Sequence, residues 1–214
     1  MRTDGVLFDL DGTLWDSCGV VAKSWGESLA ARGEPDWRPA PEEVRGIMGM
    51  SFAQISAALF SRYGARAEEL CRACIREENA LVAAEGGVLY PGVGAALAAL
   101  AASMPLFIVS NCQDGYIQAF LENTGFAPLF RDFACEGSTG LGKAENLALL
   151  IGRHGLRAPV YVGDTASDER SARQAGCRFI HAAYGFGAAE APDAVIERPA
   201  ELIALLRAGE GEYV

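Results

Sequence analysis

The chain has 214 residues, 50% of them hydrophobic, with 18 basic against 28 acidic side chains and a net charge of −10. That apolar content supports a substantial core and excludes disorder, and the length suits one domain, or one domain carrying a smaller insertion. The negative balance argues against nucleic acid or an anionic membrane surface as partner, but not against a small phosphorylated molecule, because local cations can outweigh the overall field.

Residues 4–10 read as a first strand, an apolar run that closes in Asp9 and Asp11. Asp4 and Asp9 interrupt the N-terminus, so no secretory signal is expected, and no apolar stretch is long enough to span a bilayer. Thr13 to Ser17 reads as a turn leading out of the strand. From about residue 18 to 86 Ile and Val become sparse, and the pattern is helical. Val20, Val21, Trp25 and Leu29 recur at helical spacing. Gly33 to Pro41, with three prolines, is a loop, and Pro41-Glu42-Glu43 suits a helix first turn. Phe52, Ile55, Leu59 and Phe60 mark another helix, and Glu68 to Val82 a further one with Leu70, Cys74 and Leu81 on its apolar side. No strand is expected in this block.

Beyond Gly86-Gly87 the chain alternates. A helix from Val93 to Ser103 precedes a strand at Leu106–Val109 that ends in Ser110-Asn111. A helix from Tyr116 to Thr124 precedes a short strand within Phe130–Cys135. After the Gly140–Gly142 turn, a helix runs from Lys143 to His154, then a strand at Val160–Val162 ends in Gly163-Asp164. The remaining elements are a helix over Asp168–Ala175, strands at Arg178–His181 and Asp193–Ile196, and a closing helix over Ala200–Arg207. Residues 208–214 are polar and expected to fray. This alternation predicts an α/β protein with a doubly wound parallel sheet and right-handed crossovers. The core is assigned to 1–17 and 87–214, and a helical insertion to 18–86. The six cysteines, at 18, 71, 74, 112, 135 and 177, are expected to be free thiols of a cytoplasmic protein. Cys71-x-x-Cys74 lacks a second pair or a nearby His and is not read as a zinc site.

The strands end in polar residues at one sheet edge, where open α/β sheets bind ligands. Asp9 and Asp11, at i and i+2, can share a side of an extended strand, and they repel unless a cation or a shared proton lies between them. An N-cap plus a turn Asp would explain Asp11-Gly12, but not an Asp closing an apolar strand two residues earlier. Ser110 and Asn111, Lys143, Asp164 and Asp168 converge on the same edge. Each alone has a bland reading: a strand-end turn, a solvated helix lysine, an Asx turn, a helix N-cap. Several carboxylates around a hard cation such as Mg2+ call for an anionic substrate group, and a phosphoryl group fits. Asp9 would attack phosphorus, and Asp11 would act as general acid and then base. Ser110, amides near Asn111 and Thr13 would hold the phosphate, Lys143 would neutralise charge, and Asp164 and Asp168 would serve the metal.

Four motifs taken together, Asp9-Leu-Asp-Gly-Thr, Ser110-Asn111, Lys143 and Gly163-Asp164-Thr-Ala-Ser-Asp168, resemble the haloacid dehalogenase-like (HAD) hydrolases, in the phosphoglycolate phosphatase-like branch. The resemblance implies a Rossmann-like core, a mobile helical cap matching 18–86, and Mg2+-dependent hydrolysis of a small phosphate monoester through an aspartyl-phosphate. It also implies that the backbone carbonyl of Asp11 joins Asp9 and Asp164 on the metal. Ser110 stands where many relatives carry Thr, and Lys143-Ala144 lacks the Lys-Pro common in this branch. A dehalogenase is disfavoured because Asp11 is present. A phosphonate hydrolase would need a cap lysine, and Lys23, just past the first motif, is the only one there. A sugar phosphomutase shares every core residue. A non-catalytic phosphate-binding regulator, or a receiver-type phosphoacceptor domain, is the reading from another class. Substrate choice is expected in the cap, with Arg45 of the Arg45–Ser51 turn as candidate for a substrate carboxylate or second phosphate, or else an ordinary surface residue.

Overall fold

The structure is a computed structural model and describes residues 3–207; the polar tail, 208–214, lies outside them. The first strand, β1 (Gly5–Phe8), is followed by a two-residue strand, β2 (Trp15–Asp16). Helices α1 (Cys18–Ala31), α2 (Pro41–Arg45), α3 (Phe52–Ile55) and α4 (Ala67–Glu85) come next, with a π-helical turn at Ser56–Phe60 and a 3-10 segment at Ser61–Arg66 before α4. Then follow β3 (Val88–Leu89), α5 (Val93–Ala101), β4 (Leu106–Ser110), α6 (Tyr116–Thr124), β5 (Asp132–Cys135), α7 (Glu136–Thr139) and α8 (Lys143–His154). The chain continues through β6 (Pro159–Gly163), α9 (Ala166–Ala175), β7 (Arg178–Ala182), β8 (Ala194–Ile196) and α10 (Glu201–Arg207). Among the described residues the main sheet is wholly parallel, in the order β5-β4-β1-β6-β7-β8. The order reverses on either side of β1, which places the switch point of a Rossmann-like sheet at the end of that strand.

The continuous apolar runs of these strands arise because both sheet faces are covered. Val6, Phe8, Leu106, Ile108, Val160, Val162 and Ile180 face one apolar core. Their neighbours Leu7, Phe107, Val109, Tyr161 and Phe179 face the other, beneath Leu147 and Leu150 of α8 and Ala172 of α9. The first core continues into the helical block through Val21, Trp25 and Leu29 of α1 and Leu70, Cys74 and Val82 of α4. Trp25 and Trp37 pack edge-on against Phe60.

Several elements differ from the sequence reading. Trp15-Asp16, read as turn, pairs antiparallel with Val88-Leu89. This ribbon ties together the two connections between the sheet and the helical block. Gly87 permits it: a Cβ there would lie 2.8 Å from the Asp16 carbonyl oxygen and 2.9 Å from the Trp15 ring. Two-residue strands are too short to carry a period. The π turn within Phe52–Arg66 and the short helix α7 were also not legible, while α9 starts two residues before the expected Asp168 because Thr165 caps it.

Candidate active site

Asp9 directly follows β1, Ser110 is the last residue of β4, and Asp164 directly follows β6. Lys143 is the first residue of α8, and Asp168 lies in the first turn of α9. Parallel topology therefore gathers all five at the C-terminal edge of the sheet, and all five side chains are buried. Carboxylate oxygens of Asp9, Asp164 and Asp168 lie within 4.8 Å of one another. Lys143 Nζ donates to Asp9 Oδ1 (2.9 Å) and Asp168 Oδ1 (2.6 Å). Asp168 Oδ2 accepts from the backbone N–H (3.0 Å) and hydroxyl (2.6 Å) of Thr165, whose Oγ1 in turn accepts from Asp168 N–H. This is a capping box in which Asp168 is the third helical residue rather than the cap. Asp164 Oδ2 accepts from Phe186 N–H (2.7 Å), whereas Asp164 Oδ1 is buried with no partner.

Three carboxylates against one ammonium leave negative charge uncompensated, and the protonation equilibria reflect it. Burial, opposed by Lys143 and reinforced by Asp168 and Asp164, holds the Asp9 carboxyl well above its ordinary value. Burial followed by the Asp168 charge raises Asp164 to about 7. Burial acts on Asp168 too, but the Lys143 charge and the hydrogen bonds from Lys143 and Thr165 bring its carboxyl below the usual range. Burial tends to neutralise Lys143, and the charges of Asp168 and Asp9 reverse that and raise it. A cleft of oxygen donors with an orphaned carboxylate oxygen and excess negative charge fits a hard divalent cation. Asp9 and Asp164 have the free capacity to ligate it. Both Asp168 oxygens are already engaged by Lys143 and Thr165.

The Asp11 side chain is held by groups that its spacing from Asp9 did not point to. It is not among the clustered carboxylates. β1 ends at Phe8, and residues 10–15 fold into a tight turn with Leu14 N–H bonded to Leu10 O (2.8 Å), so the i, i+2 rule for strands no longer applies. Asp11 Oδ1 instead lies against Trp15 Nε1 (2.9 Å), Ser17 Oγ (2.5 Å) and Tyr116 Oη (3.0 Å). Burial raises the Asp11 carboxyl to about 6 despite these hydrogen bonds.

Asp11 and Ser110 line a cavity of about 510 Å³ between the sheet edge and the helical block, a size suited to a small ligand. Its other wall is Ile47, Met48, Gly49 and Met50, with Ile75, Arg76 and Glu78 of α4. Asn111 Nδ2 donates to Gly49 O (3.0 Å), so its side chain reaches the helical block, and its Oδ1 is buried with no partner. Thr13 is fully buried, and its hydroxyl is unpartnered. Arg45 does not line the cavity. Its guanidinium donates to Asp16 (2.7 Å) on the ribbon and lies over the Phe186 ring.

Sequence reasoning missed three groups. Ser17 and Tyr116 close around Asp11 beside Trp15, which the sequence marked only as a wall of the entrance or as packing under the cap. Glu78 of α4 accepts from Trp25 Nε1 and from Gln113 Nε2 (2.7 Å) across the cavity, and burial raises its carboxyl to about 8. The Tyr184–Phe186 segment after β7 packs on Asp164; the only signal for it was a Gly-x-Gly following a strand. Gly12 packs equally tightly. It has φ +86°, and a Cβ there would meet Asp164 Oδ2 at 2.3 Å. Gly12→Ala is expected to cost about 1–3 kcal/mol of stability through the backbone alone. By displacing Asp164 it should also lower kcat/KM by about 10²-fold; thermal unfolding and steady-state kinetics check both.

The model of the haloacid dehalogenase-like hydrolase family matches residues 6–182. The phosphoglycolate phosphatase of Yersinia pseudotuberculosis is 30% identical over 224 residues, covering 93% of this chain and 91% of that protein. Among solved structures, a haloacid dehalogenase-like family hydrolase from Streptococcus pneumoniae superposes with TM-score 0.78 at 24% identity, over 95% of this chain and 98% of that one. CbbY from Rhodobacter sphaeroides, solved in complex with phosphate, gives TM-score 0.76 at 23% identity, over 94% and 96%. These likenesses to solved structures concern the fold.

Proposed function

The chain belongs to the haloacid dehalogenase-like hydrolases, and from that footing we propose that it is a Mg2+-dependent phosphatase that cleaves a small phosphate monoester through an aspartyl-phosphate on Asp9. The observation that carries this reading is the buried Asp9–Lys143–Asp168 array beside the unpartnered Asp164 oxygen, opening at the switch point of the sheet. Curated relatives of near-equal length carry the name phosphoglycolate phosphatase, which makes 2-phosphoglycolate the first substrate to test.

In this scheme a carboxylate oxygen of Asp9 attacks phosphorus, and the bond from phosphorus to the leaving oxygen breaks. Lys143 holds Asp9 in place and offsets charge on the transferring group, and Asp168 fixes Lys143 from its other side. Ser110, with Thr13 and backbone amides near Asn111, binds phosphoryl oxygens. Asp11 gives its proton to the leaving oxygen, then removes one from the water that hydrolyses the aspartyl-phosphate. The side chains of Asp9 and Asp164 and the Asp11 carbonyl would hold Mg2+, which when bound would supply positive charge to keep Asp9 ionised and to offset charge on the phosphoryl group. Residues 18–86 serve as a cap over the site. The supporting contacts are Asn111 to Gly49, Gln113 to Glu78, and Asn79 Nδ2 to Asp114 O (2.8 Å). The ribbon and Gly12 lie at the connections where a cap would hinge. Six free thiols suit a reducing compartment, and we place the enzyme in the cytoplasm; no helix among the described residues is long and apolar enough to cross a membrane.

The test is phosphate release from a panel of phosphate monoesters headed by 2-phosphoglycolate. Chelating Mg2+ should lower turnover by about 10²-fold or more, with recovery on adding it back. Turnover that persists unchanged in chelator would remove the metal from the scheme.

A further inference from the structure

The surroundings of Asp11 are lopsided. Its Oδ1 lies within hydrogen-bond distance of three donors that come from three elements: Trp15 on β2, Ser17 at the start of α1 and Tyr116 at the start of α6. All three are buried. Tyr116 Oη also lies 2.8 Å from Ser17 Oγ, so its single proton serves either Asp11 directly or Ser17, whose own proton goes to Asp11. Among the described residues no partner is recorded for Asp11 Oδ2, and Asp11 faces the cavity. The two hydroxyls can rotate their protons, but the indole N–H of Trp15 cannot. A proton on Oδ1 would convert the acceptor of that N–H into a poor one. The Trp15 ring packs edge-on against Tyr116 (6.3 Å) and Phe120 (4.8 Å), which fixes the direction of its N–H.

We propose that Tyr116, with Trp15 and Ser17, is a positioning residue for proton transfer: the three hold Asp11 by Oδ1, so that its proton resides on Oδ2 and faces the leaving oxygen in the cavity. The step is a transfer of that proton to the leaving oxygen as its bond to phosphorus breaks, leaving Asp11 as carboxylate stabilised by the same donors. The proposal rests on the reading of Asp11 as general acid. It assigns no contact between Tyr116 and substrate.

The experiment compares phenyl phosphate with p-nitrophenyl phosphate, two esters of similar shape whose leaving groups differ in their need for a proton. The quantity read is kcat/KM, which excludes the later hydrolysis of the aspartyl-phosphate. Tyr116→Phe, which keeps the ring and its packing, should lose about tenfold on phenyl phosphate and under about threefold on p-nitrophenyl phosphate. Ser17→Ala should show the same split, so a folding defect in one variant does not decide the matter. Equal losses on both esters, or none on either, would overturn the proposal. Asp11→Asn separates the two levels of the argument. If it shows the split and Tyr116→Phe and Ser17→Ala do not, only the positioning role falls. If it loses equally on both esters, the general-acid reading falls with it.

Discussion

Asp9→Asn is expected to abolish phosphate release, by about 10⁴-fold or more, while leaving the fold intact. The amide keeps the shape of the side chain and can still accept from Lys143 through its oxygen, but it has no anionic oxygen to attack phosphorus. Stability should move the other way. In the metal-free protein the Asp9 carboxyl is held above its ordinary value, chiefly by burial. A group of that kind contributes stability that is complete below its unfolded pKa, about 3.9 for Asp, and is lost as pH rises toward the folded value. At neutral pH in chelator, Asp9→Asn should therefore unfold at the same temperature as wild type or a higher one. An inactive variant that is at least as stable cannot be explained as a misfolded one.

Lys143→Met is expected to damage both activity and stability. The Nζ group is the cation between the buried Asp9 and Asp168 carboxylates, and removing one partner of a buried ion pair costs about 3–5 kcal/mol because the other charge is left uncompensated. Loss of a positive group aimed at the reacting charge should lower kcat by about 10²–10³-fold. The pH dependence carries a sign. Asp168 is held below its unfolded pKa with Lys143 as partner, so its contribution is present above that unfolded value and is lost as pH falls through the folded one. Denaturant unfolding should show the gap between wild type and Lys143→Met at neutral pH and its narrowing in strong acid. A gap that persists unchanged in acid would mean that the loss came from packing of the lysine stem rather than from its charge.

The parts of this molecule that were legible in the sequence share a physical cause. Strands buried on both faces produce unbroken apolar runs, so β1, β4, β6 and β7 could be found, and with them the residues that close them: Asp9, Ser110 and Asp164. Lys143 could be placed because the Gly140–Gly142 turn fixes where α8 starts. What escaped was decided by contacts between distant segments. Asp11 Oδ1 is held by Trp15, Ser17 and Tyr116 because the chain leaves the extended form at Phe8, and Tyr116 is 105 residues further on. Arg45 is an exposed residue of a short helix by its pattern, and only the Trp15-Asp16 ribbon shows that its charge is matched by Asp16. Asp168 was read as a helix N-cap that could also serve the metal, directly or through water, and it stands with Asp9 and Asp164 in the carboxylate cluster. The helix starts earlier than its pattern suggested, with Thr165 as the cap, which leaves both Asp168 oxygens committed to Thr165 and Lys143.

The measurement that bears most directly on the mechanism is peptide mapping of enzyme quenched in acid after a brief reaction. Asp11→Asn, mixed with p-nitrophenyl phosphate and Mg2+, keeps the nucleophile and an ester that leaves without a proton, but lacks the base that hydrolyses the intermediate. The account predicts that p-nitrophenol is released in a burst of about one equivalent and that one phosphoryl group is found on the peptide containing Asp9. Release of p-nitrophenol over many turnovers with that peptide unmodified at every time of quenching would contradict it, and would assign the chemistry to direct attack by water.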